Sequence, residues 1–139
     1  MKSQAAQLFM ALMEAKEMKV ALVNEEEDTI LRTGFNLDNT EVSIFIVIDE
    51  GDECVHFEGR DFLKVPKDKE IAILKACNEC NNSYRWVKFV LQEDDSIVSC
   101  KCDAVIQLDS CADEIFELVM RMASIVDEAY PTFMKAMWA

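Results

Sequence analysis

Six cysteines are the side chains best able to do chemistry in this sequence of 139 residues. Cys77-x-x-Cys80 is followed, after nineteen intervening residues, by Cys100-x-Cys102. That spacing resembles a four-thiolate zinc site, and it makes a small zinc or thiol sensor the alternative reading of the chain. Two features favour packing over metal. A zinc knuckle turns sharply, usually with glycine nearby, whereas Cys77 and Cys80 sit inside a helical pattern. All four thiols also fall on apolar faces, where cysteine serves as a small buried hydrophobe. Thioredoxin-like chemistry is disfavoured too, because its Cys-x-x-Cys follows a strand and opens a helix. Cys111 falls in the first turn of a helix, where the dipole is expected to lower its pKa.

His56 is the only histidine. With Cys54 and Glu58 it occupies one face of a strand, but no third group at a recognisable spacing completes a metal site or a nucleophile-base pair. Carboxylates are too numerous to single out an acid/base couple. The phosphate-cradling, nucleophile-elbow and zinc-helix motifs are absent, and Gly34, Gly51 and Gly59 are too few and too scattered to cradle a phosphate. The expectation is a protein without enzymatic activity, cofactor or metal.

The elements that would position these groups follow from periodicity. Residues 3–17 carry Ala5, Leu8, Phe9, Leu12 and Met13 at helical spacing, with Ser3 as N-cap. Met18–Val23 reads equally as a fraying helix end or a short strand. Three strands are predicted at Thr29–Leu37, Glu41–Asp49 and Glu53–Gly59, joined by turns at Asp38-Asn39 and Glu50-Gly51-Asp52. The nearly continuous apolar run Val42–Ile48 suggests a central strand covered on both faces. After Pro66, residues Lys67–Tyr84 form a helix with Ile73, Cys77, Cys80 and Tyr84 on one face. A hairpin of Trp86–Gln92 and Ser96–Leu108 turns at Glu93-Asp94-Asp95.

The last helix begins at Ser110, whose hydroxyl is expected to cap it in a box with Asp113. It runs to Tyr130 or, past a kink at Pro131, to Trp138. Its stripe is Ile115, Val119, Met122, Val126, Ala129 and Phe133. The order α-β-β-β-α-β-β-α describes an α+β fold with an antiparallel sheet faced by helices, in one domain over residues 1–139.

Charge excludes two classes of partner. Fourteen basic against 27 acidic residues leave −13 at pH 7, which opposes nucleic-acid backbones and anionic membranes alike. Residues 25–66 hold 12 acids against 3 bases, and residues 93–139 hold 10 against 3. Such a surface keeps a protein dissolved and favours basic partners. The early apolar stretch Leu8–Met13 is interrupted by Glu14 and is too short for a secretory signal, so reduced thiols in the cytoplasm are expected.

From Ile73 to Trp138 the sequence resembles the YbjN family, small bacterial proteins labelled sensory transduction regulators. The resemblance rests on Asn78-x-x-Asn81 leading into Tyr84-Arg85-Trp86-Val87-Lys88-Phe89, on Glu117-Leu118 and Arg121-Met122, and on Val126-Asp127-Glu128-Ala129-Tyr130-Pro131. Arg32-Thr33-Gly34-Phe35, Leu37-Asp38-Asn39 and Val65-Pro66 with Lys69 extend it upstream. It implies a fold like that of type III secretion chaperones, often dimeric and binding unfolded segments of a client, and it supplies no catalytic residues.

The resulting expectation is a chaperone-like or regulatory binding protein, working as a homodimer on a protein client. The expected contact residues are Phe116, Met120, Met134, Met137 and Trp138. They lie off the main stripe of the last helix or beyond it, and adaptable methionine with aromatics suits partner surfaces.

Overall fold

Ser3 opens the first helix as its chemistry predicts, its hydroxyl accepting from the backbone N–H of Ala6 at 3.0 Å. In the computed structural model, which describes residues 1–139, this helix is α1 (Gln4–Ala15). The elements that follow are β1 (Ala21–Asn24), β2 (Thr29–Asn36), β3 (Glu41–Ile48), β4 (Cys54–Lys64), α2 (Glu70–Ser83, entered through a 3-10 turn at Lys67–Lys69), β5 (Lys88–Gln92), β6 (Ile97–Val105) and α3 (Cys111–Trp138). The α+β order read from periodicity is the order found, with one strand, β1, added ahead of the predicted three. The open segment 18–23 resolves in favour of a strand, a short one at the sheet edge.

Six antiparallel strands run in the order β1-β2-β3-β4-β6-β5. One face packs against all three helices, and 31 buried residues form a single core there. β3 shows how that divides a sequence. Ile44, Ile46 and Ile48 are fully buried against the helices, whereas Phe45 and Val47 are only half-buried on the opposite face. The expectation that this strand is covered on both sides therefore fails, because every helix lies on one side.

On the covered face, Val98, Cys100 and Cys102 of β6 meet Ile73, Cys77 and Cys80 of α2 and the whole predicted stripe of α3. Of the α1 stripe, Ala5, Phe9 and Met13 are buried while Leu8 is exposed. α1 takes its remaining core contact from Ala6.

Gly59 has a spatial role. A Cβ there would lie 2.5 Å from the Cys100 Sγ and 3.4 Å from Val42, so only glycine admits the thiol. Just beyond it the β4–β6 register shifts between Gly59 and Leu63. That irregularity turns Phe62 inward, where its ring meets Phe89, Tyr130 and Phe133 at 5.4, 5.9 and 5.2 Å. Each such pair is worth roughly 0.5–1.5 kcal/mol beyond its burial.

Turns fasten onto helices by hydrogen bonds. Asp52, in the β3–β4 turn, accepts from the Ser3 hydroxyl and, at 3.0 Å, from the Gln4 N–H at the start of α1. Ser96, in the β5–β6 turn, donates to Glu70 at the start of α2. In α3, which stays helical through Pro131, proline has no N–H to offer the Asp127 carbonyl one turn back. The Asn39 side-chain amide takes that carbonyl at 3.1 Å, while the Asn39 N–H donates to the Asp127 carboxylate at 2.7 Å.

Asn81 pairs similarly with Phe89. Its amide donates to the Phe89 carbonyl at 3.0 Å and its oxygen accepts the Phe89 N–H at 2.7 Å. Lys88 donates to the Asn81 and Tyr84 carbonyls at the end of α2. The left-handed backbone positions are Glu17, Asp52, Trp86 and Ser96, and no glycine is among them.

Candidate functional site

Burial decides the chemistry of the thiols. It pushes Cys77, Cys80 and Cys102 up to about 11 and Cys100 up to about 12, each from an ordinary value of 9.0. Thiolate, the nucleophile and metal ligand, is therefore suppressed at neutral pH. No three Cys, His, Asp or Glu side chains converge to hold a metal ion, so Cys77, Cys80, Cys100 and Cys102 do not assemble the four-thiolate set their spacing suggests. Cys111 departs from expectation as well. It is fully buried, and desolvation raises its pKa against the helix dipole. Only Cys54 is exposed.

His56 stands on the uncovered face of β4 between two carboxylates. Its Nδ1 lies 2.8 Å from Asp103 Oδ1 and its Nε2 3.4 Å from Glu58 Oε2. Both ring nitrogens are thus spoken for, and neither partner is Cys54. Arg60 lies 3.7 Å from Glu58 and covers the Phe45 ring at 4.1 Å. The Ser110 hydroxyl donates to Glu114 at 2.6 Å instead of capping α3 with Asp113.

The five residues expected to make a protein contact are spread along α3. Trp138 is 81% exposed and Met120 partly exposed, while Phe116, Met134 and Met137 are half-buried. Phe116 also carries the Lys16 ammonium over its ring at 4.6 Å. Phe116 and Met134 stand about five turns apart on one helix face, as do Met120 and Trp138. Asp127 lies on that same face between the pairs, where Asn39 holds it, so the β2–β3 turn separates the two ends of the stripe.

Sequence reasoning missed two apolar features. Ile71 and Leu74 of α2 are 73% and 51% exposed, one turn apart and off the stripe of Ile73, Cys77 and Cys80. A helical wheel of α2 would have shown them. The second is a groove of about 910 Å³ between α1 and the β1–β2 side of the sheet, with Met1, Met10, Met18, Val20 and Ala21 in its lining. Beside it β1 covers only part of β2, its pairing ending at Ala21 opposite Arg32. No sequence signal marks this groove, because it is made where one strand stops short of its neighbour.

Trp86 forms a third feature, between α2 and β5. It is held at φ 65° and remains 47% exposed. Left-handed backbone at a bulky residue costs of order 1–3 kcal/mol. The Arg121 guanidinium packs over its ring at 4.7 Å, and Glu117 accepts from Arg121 Nη2 and Nε at 2.7 and 3.0 Å.

The chain matches the family model YbjN, described as "Putative bacterial sensory transduction regulator", over residues 6–134. Among solved structures, YbjN from E. coli, described as "a putative transcription regulator", superposes with a TM-score of 0.57 at 14% identity, covering 91% of each chain. A chain of the HopA1–SchA chaperone–effector complex superposes with a TM-score of 0.52 at 16% identity, covering 94% of this chain and 93% of that one. No curated protein matches significantly. At these identities the structures establish a shared fold, the chaperone-like one expected from the sequence.

Proposed function

The chain belongs to the YbjN family, and from that premise we propose a non-enzymatic regulatory protein that binds an extended segment of a protein client and acts as a homodimer. The observation that carries this reading is the methionine-lined groove beside the partly covered β2. Flexible thioethers adapt to varied side chains, and a strand with a free edge offers main-chain hydrogen bonds to an extended peptide. The fold shared with a chain of a chaperone–effector complex supports the same reading. Five of the six thiols are buried, and no helix is long and apolar enough to cross a membrane.

An array of apolar peptides, probed with the native chain and with Met10→Glu/Met18→Glu, tests the groove. Binding that the double variant loses while its circular dichroism stays native is the expected result. No binding to any peptide, or equal binding by both chains, overturns the reading. The homodimer is tested separately by native mass spectrometry. A dimer mass is expected, falling to the monomer when Met134, Met137 and Trp138 become serine. A folded variant that stays dimeric removes those residues from the interface.

A further inference from the structure

We propose that Trp86 and the acidic wall of α3 beside it form a docking pocket for an arginine side chain of the bound partner. The proposal rests on the reading of this chain as a protein-binding one, but on a different part of the surface from the groove. The pocket, about 430 Å³, is lined by Trp86, Asp113, Glu114, Glu117, Leu118 and Arg121. That size suits one long side chain rather than a whole peptide. It carries three carboxylates against one guanidinium, and the charges are not equally engaged. Glu117 is committed to Arg121, and Glu114 accepts from the Ser110 hydroxyl. Asp113 is exposed and has no hydrogen-bond or ion-pair partner.

An aromatic face beside a free carboxylate is the arrangement that holds a guanidinium, by stacking on the ring and by charge-assisted hydrogen bonding. Arg121 already packs over one face of the indole, so the partner's guanidinium would take the part of the ring left in solvent. Glu117 offsets the charge of Arg121, so a second guanidinium meets a pocket that is still net negative. Arginine fits better than lysine because its planar group can stack and form paired hydrogen bonds together. The backbone points the same way. Trp86 is held in a left-handed conformation and leaves nearly half its surface in solvent at the mouth of the pocket.

The experiment uses the full chain carrying Trp138→Phe, which leaves Trp86 as the only tryptophan. Its fluorescence is titrated with a short peptide of alternating glycine and arginine, with lysine and glutamine versions as comparisons. A saturable change in emission is expected with the arginine peptide, weaker with lysine and absent with glutamine. Asp113→Asn, a near-isosteric change at an exposed site whose fold is checked by circular dichroism, should weaken the arginine peptide by roughly tenfold, the scale of one charge-assisted bond. No saturable change, an equal response to the glutamine peptide, or an affinity indifferent to Asp113→Asn would each overturn the proposal. Failure here with apolar peptides still binding the groove removes only the arginine pocket. Failure of the groove leaves this titration unaffected.

Discussion

The two faces of the sheet are built from the same strands and do opposite things. On the helix side β3 contributes Ile44, Ile46 and Ile48, all fully buried, next to Phe57, Phe89, Phe133 and the five buried thiols. On the other side the same strand offers Phe45 and Val47, half-covered, among Arg60, Glu58, His56 and Asp103. Apolar residues alone therefore do not define a core. Coverage does, and here the long α3 with α1 and α2 supplies it to one side only. Chemistry follows coverage, since the buried thiols are inert by desolvation and the one exposed thiol belongs to the opposite face.

The comparison is broken most forcefully at the aromatic cluster. Phe133→Ala should cost about 3–5 kcal/mol, as large-to-small changes in a sealed core do, measured by urea unfolding. A loss as small as that of a surface change would mean the helix side is not the core. Gly59→Ala places a methyl against Cys100 and should cost about 1–3 kcal/mol by overpacking. Combining it with Cys100→Ala should recover part of that loss, and a strictly additive double variant would deny the contact.

Asn39→Ala, which removes the side-chain partner of the Asp127 carbonyl at a solvent-exposed contact, should cost about 0.5–1.5 kcal/mol. Phe45→Ala on the uncovered face should cost about 1 kcal/mol, since much of that ring is already wet or under Arg60. If Phe45→Ala matched Phe133→Ala, the two faces would be equally covered in solution.

The effect that is smallest at neutral pH is electrostatic. The buried thiols have folded-state values near 11 and 12 against 9.0 unfolded. The unfolded chain thus ionises first, and the stability they contribute is intact below pH 9 and falls as pH rises from 9 toward 11 and 12. Alkylation at pH 8 should accordingly label Cys54 first, with the other five slow until the chain unfolds. Rapid modification of Cys77 or Cys100 in the folded chain would contradict their burial.

Much of this was legible in the sequence. The α3 stripe and the reading of the thiols as packing both follow from residue type and period, because each element buries the face that its period defines. What stayed hidden depends on three-dimensional supply. Nothing in Val42–Ile48 says that helices will cover one face only. Similarly, no local rule places a tryptophan rather than a glycine at the left-handed position before Val87. The quoted family residues also take on a physical meaning. Asn81, Lys88, Asn39 and Asp127 join turns and strands to helices, which is why they looked ordinary while belonging to no chemical motif.

The bond between Asn39 and Asp127 also orders events in time. Residues 88 positions apart share it, so a ribosome delivers the β2–β3 hairpin long before the helix that needs it. Until the hairpin docks, α3 carries a gap in its ladder at Pro131, and its last two turns have little reason to persist. Long-range closure of this kind slows folding. The newborn hairpin, with both faces of β3 still bare, is the stage at which this chain is itself most in need of a chaperone.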